Sequence, residues 1–180
     1  MGEFLAIGIV SKIGVKKQHV NKTKITVEQL QEKMRQELGF VPEIYELNEE
    51  EDFYYFQLKD AVLHSQLIPF LKTIYPLLYD NPVYYESVLT KLETLPPSQW
   101  LEWAKTKPEE AFQFDEYGTR DYLKEGFSDI TIYYDSMLIS MEGTIVMECY
   151  GRQFRFFKQA MVQAFQPFTL AGALRVYITG

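Results

Sequence analysis

The chain has 180 residues, a net charge of −7 and 47% hydrophobic residues, including 13 Phe and 13 Tyr. At that length a single core can form that buries roughly 70% of the unfolded surface, and large aromatic side chains can build it without metal or disulfide support. With one cysteine, Cys149, and two histidines, His19 and His64, an internal disulfide is excluded and no zinc-ligand spacing is present.

The amino terminus carries an acid and lacks a positive leader, and residues 4–14 are rich in Ile and Val, which predicts a strand in place of a signal peptide. Gly8 and Gly14 mark bulge or turn points within it. A basic loop is expected next, because Lys12 to Lys24 holds five lysines and no acid. Thr26 followed by Gln29 is a capping-box pattern, and Val27, Leu30, Met34 and Leu38 recur at helical spacing up to Gly39.

Past Pro42, residues 43–47 and 52–58 read as two strands around a polar turn, and six carboxylates between Glu43 and Asp52 make that hairpin acidic. Three helices are predicted after it: from near Ser65 to Tyr79, from Pro82 to Thr94, and the short SQWLEWAK stretch. Pro69 is placed in the first turn of the earliest of them. Residues 107–128, punctuated by Pro108, Gly118 and Gly126, read as an irregular surface excursion. Residues 129–150 return to β-branched and aromatic content, with a reversal at Glu142-Gly143 and a second turn at Asp135-Ser136 as one alternative.

A helix over 152–166 gathers Phe154, Phe157, Met161, Ala164 and Phe165 on one stripe, with Arg152, Arg155 and Lys158 opposite. Phe156 falls on the basic side, where Arg152 can stack on its ring. Residues 173–180 supply the last strand. The order predicts an α+β fold of one domain over residues 1–180. It has a single mixed, mainly antiparallel sheet of five to six strands with helices packed on it and a central block of three helices.

No stretch approaches the run of apolar residues that a membrane span requires, which suggests a cytoplasmic protein without membrane contact. All 25 acids lie at or before Glu148, so residues 149–180 are purely basic. Net negative charge argues against nucleic acid as a partner, and no motif implies a cofactor or a metal. Cys149, expected on a strand face with Ile145 and Met147, fits an inert buried thiol, although a pairing with His64 would make a dyad.

The candidate binding residues are Asp115, Tyr117, Arg120 and Asp121, a cluster of acids, aromatic hydroxyl and guanidinium, together with Arg152 and Phe156. The tyrosine pairs Tyr54-Tyr55, Tyr84-Tyr85 and Tyr133-Tyr134 should each turn one ring inward and one outward, and exposed tyrosine favours protein interfaces. These features point to a non-enzymatic acidic protein-interaction module, of the inhibitor or antitoxin type that binds a basic partner. The alternative is an enzyme or small-ligand binder with a pocket between helices and sheet near residues 115–121.

Overall fold

The computed structural model describes residues 4–78, 82–106, 112–125, 128–141, 147–148 and 172–179. The fold is α+β, with helices and a largely antiparallel sheet. Its hub is β1 (Phe4–Lys16), longer than the strand expected there. All four partners of β1 run antiparallel to it: β3 (Phe53–Leu58) at residues 12–16, β5 (Ser128–Met141) at 8–15, β7 (Leu174–Thr179) at 4–9 and the two-residue β6 (Met147–Glu148) at 4–5.

A strand has only two edges, and partners that overlap along it must take opposite ones. β3 and β7 therefore share one edge of β1 end to end, while β5 and β6 share the other. Outside them lie β2 (Tyr45–Glu49) on β3 and β4 (Phe112–Glu125) on β5. Among the described residues the sheet thus has a path β2-β3-β1-β5-β4 and seven strands, against the five to six expected.

The pairing of β1 with β5 slips by one residue between Val10 and Lys12, a bulge centred on Ser11. The Ser11 Oγ donates to the Asp135 carbonyl across the slip at 3.0 Å. Adjacent Ile9 and Val10 point to opposite faces yet are both buried, so β1 is covered on both sides there. Beyond the bulge only one face is closed: Ile13 and Val15 join Phe56, Leu58, Ile130, Ile132, Tyr134 and Leu123 in the core.

The helix α2 (Val27–Leu38) has the capping box formed by Thr26 and Gln29, ends on Gly39 in the left-handed region and buries Leu30 and Met34 in the same core. Gly172 lies so close to the turn after α2 that an added Cβ would stand 2.3 Å from the Val41 Cγ2.

Several sequence expectations are corrected. The basic loop is instead a helix, α1 (Lys17–Thr23), anchored by buried Val20 and closed by Lys24 in the left-handed conformation. No Gly or Pro interrupts these residues, so one buried side chain suffices to hold two turns against β1 and β5. The helix placed from Ser65 begins earlier, as α3 (Asp60–Val62), a π turn at Leu63–Leu67 and α4 (Ile68–Leu78) in succession.

A proline in a helix lacks the N–H and crowds the carbonyl four residues back. For Pro69 that carbonyl is Ser65, inside the wider π turn that accommodates it. Next come α5 (Pro82–Thr94) and α6 (Trp100–Thr106). α4 packs on α5 through the Tyr75 and Tyr85 rings and an ion pair of Lys72 with Glu93.

The largest correction is β4. The expected excursion over 107–128 contains a strand of 14 residues, paired with β5 from Phe112–Met141 to Glu125–Ser128. Its Asp, Gly and Lys content hides the strand, since the pairing draws on backbone groups that composition does not report. β5 is one strand, with no turn at Asp135-Ser136. The predicted reversal at Glu142-Gly143 and the helix over 152–166 lie outside the described residues.

Candidate functional site

The face of β1, β3, β5 and β4 opposite the core is open beyond the bulge. Strand alternation sends Lys12, Gly14 and Lys16 of β1 there, with Phe53, Tyr55 and Gln57 of β3, Thr131, Tyr133 and Asp135 of β5, and Arg120 and Tyr122 of β4. The Tyr54 and Tyr55 pair, and the Tyr133 and Tyr134 pair, divide as expected, whereas Tyr84 and Tyr85 lie on the helix α5, where strand alternation does not apply. Tyr134 is buried and Tyr133 half-buried on the other side.

The rings form one group. Phe53 and Tyr55 stack with centroids 5.2 Å apart and planes 10° from parallel, and Tyr133 meets Phe53 edge-on at 6.2 Å. Such offset and edge geometries suit the ring quadrupoles. Gly14 makes the arrangement possible, because a Cβ there would lie 3.0 Å from Tyr55 Cε1.

Cations lie on the rings. Lys12 Nζ sits 3.7 Å from the Tyr55 centroid, and Lys16 Nζ is 5.9 Å from both Phe53 and Tyr133. Burial, with the carboxylates of Glu50 and Asp135 nearby, pushes the Tyr55 hydroxyl above its ordinary value. At the end of the face a shallow depression of about 200 Å³ is lined by Lys16, Gln18, Asp52 and Phe53. The N–H of Lys17 donates to the Asp52 carbonyl at 2.8 Å and ties α1 to the β2–β3 hairpin beside it.

Of the sequence-predicted residues, Arg120 stands exposed on this face, opposite Tyr133 in register. Asp115, Tyr117 and Asp121 are on the same strand at the alternate register positions, opposite Leu138, Ser136 and Ile132. The cluster seen as a loop is therefore spread along a strand. Arg152 and Phe156 lie outside the described residues.

His64 is committed to structure: its Nε2 donates to the Leu95 carbonyl at 3.1 Å, which Trp100 Nε1 also reaches at 3.0 Å. A carbonyl only accepts, so Nε2 carries the proton. Cys149 lies outside the described residues. Among the described residues no group of three or more His, Cys, Asp or Glu is placed to hold a metal ion, and no helix is long and apolar enough to cross a membrane.

The residues that sequence reasoning left out of the site are Lys12, Lys16, Phe53, Tyr55, Tyr133 and Asp135. The signals that could have found them were the tyrosine pairs and the lysine run, which needed the β1, β3 and β5 register to be combined. Comparisons with protein-family models, curated proteins and solved structures give no match for this chain.

Proposed function

We propose that the chain is a non-enzymatic protein-interaction module that engages its partner through the open face of the sheet. The observation that carries this reading is the Tyr55, Phe53 and Tyr133 ring group with Lys12 and Lys16 set over it, flanked by exposed Tyr122 and Arg120. The solvated face of an antiparallel sheet is ordinarily polar. Rings on a hydrogen-bonded sheet are already ordered, so covering them loses little side-chain entropy, and Tyr, Phe and Arg are the residues on which interfaces concentrate their energy.

Basic groups of the partner would approach the exposed carboxylates of Glu46, Glu49, Glu50, Glu51 and Asp52 at the hairpin. These rim charges would govern encounter rate more than residence time. The test compares partner retention by immobilised wild type with Tyr133→Ala and Phe53→Ala, each checked for unchanged circular dichroism. A protein retained by wild type and lost from both variants supports the reading, and equal retention by all three defeats it.

A further inference from the structure

We propose that the open face is the contact surface of a symmetric dimer, so that the partner it takes is a second copy of this chain. This rests on the interaction-module reading and names the partner. Charge on the face is ordered in rows across the strands. One row runs Glu46, Gln57, Lys12 and Asp135 from β2 to β5. The next runs Asn48, Tyr55, Gly14, Tyr133 and Arg120 from β2 to β4. In the third, Phe53 is paired with Lys16 on one side and Tyr122 with Thr131 on the other.

Cations therefore stand on β1 and β4, carboxylates on β2 and β5, and rings on β3, β5 and β4. A polyanion would meet Asp135 and Glu46 among the cations, besides a net charge of −7. A basic surface would meet Lys12, Lys16 and Arg120 at the centre. A copy of the same face offers both signs in the matching places.

The match follows from one symmetry operation. Place a two-fold axis between the two sheets, parallel to the strands and above the boundary of β1 and β5. β1 of each copy then crosses β5 of the other, β3 crosses β4, and each row stays at its own level. Lys12 is brought to Asp135 of the second copy, Tyr55 to its Arg120 and Phe53 to its Tyr122, and every contact occurs twice, as an isologous interface requires. Twisted sheets pack face to face with strands about 30° apart, which keeps these central contacts aligned.

Sedimentation of the wild-type chain should show a monomer–dimer equilibrium that weakens with added salt. Lys12→Glu and Asp135→Lys each oppose like charges at both symmetry-related contacts, and each should raise the dimer dissociation constant at least about tenfold. Mixing the two variants restores opposite charges at both contacts, so the mixture should dimerise where neither variant does alone. A folding defect within one chain is not repaired by mixing, which makes this rescue specific to an intermolecular contact.

Arg120→Ala, a change at an exposed position, gives a second reading and should weaken the wild-type dimer. The proposal is overturned by a wild-type chain that stays monomeric at every concentration reached, by a mixture that gains no dimer, or by an Arg120→Ala dimer as tight as wild type. A monomeric chain that still retains a different protein, lost on Tyr133→Ala, overturns self-association and leaves the interaction-module reading standing.

Discussion

The two faces of the same strands behave as two different materials. On one, Ile13, Phe56, Ile132 and Tyr134 are between 0% and 6% exposed and belong to one core with Leu30 and Met34 of α2. On the other, set one residue out of phase, Lys12, Phe53, Tyr55 and Tyr133 are half-buried and hold each other through ring stacking and cation–π contact. The first face draws its stability from apolar area removed from water. The second is built from contacts worth little individually at a wet surface, which leaves its rings available to a partner.

The comparison is broken most directly by truncating a ring on each side. Phe56→Ala removes a fully buried ring packed on Phe40 at 5.4 Å and should cost about 3 to 5 kcal/mol in a denaturant titration. Tyr133→Ala, two strands across on β5 and on the open side, should cost under about 1 kcal/mol, the range of a cross-strand pair, while abolishing association. A Tyr133→Ala loss as large as that of Phe56→Ala would mean the open face is part of the core.

Two glycines sharpen the contrast. Gly172→Ala forces a methyl group against Val41 Cγ2 and should destabilise the fold by about 1 to 3 kcal/mol. Gly14→Ala meets the edge of the Tyr55 ring, which can swing outward. It should move stability by less than about 1 kcal/mol, and would show instead as a changed tyrosine environment in near-ultraviolet circular dichroism.

Thr26→Ala removes the oxygen that accepts from the Gln29 N–H at 3.2 Å and should cost about 1 kcal/mol of thermal stability. The smallest effect is at Glu43, whose carboxylate accepts from Arg35 Nη2 at 2.6 Å and is held below its ordinary pKa mainly by that bond. Its contribution is fully present above the ordinary carboxylate pKa and is lost as pH falls toward the folded value. Glu43→Gln should therefore lower the neutral plateau of a stability–pH curve slightly and converge on wild type at acid pH, which flattens the acid limb.

What could be read locally was read well where the chemistry is local. The Thr26 and Gln29 capping box, the Gly39 stop, the strand residues 174–179 and the inward and outward division of the tyrosine pairs all depend on neighbours in sequence. β4 escaped notice because a strand rich in Asp, Lys and Gly is stabilised by backbone pairing to β5, from Glu125 with Ser128 to Phe112 with Met141, which residue type does not report. α1 escaped because a single buried valine holds it. The candidate site was legible only as fragments, a lysine run and paired tyrosines. Of the candidate residues Asp115, Tyr117, Arg120 and Asp121, Arg120 stands at a register position on the described face.

By itself the sequence determined the caps of α2, the first and last strands, the exclusion of an internal disulfide and the distribution of charge along the chain, since each depends on residue type and short-range spacing. Only the tertiary structure decided which residues stand in one row. The pairing of β1 with β3 and β5 sets Lys12 beside Asp135 and Gly14 between two tyrosines. Register across a sheet is fixed by which faces can be buried together and by the one-residue slip at Ser11, and neither is written in any single strand.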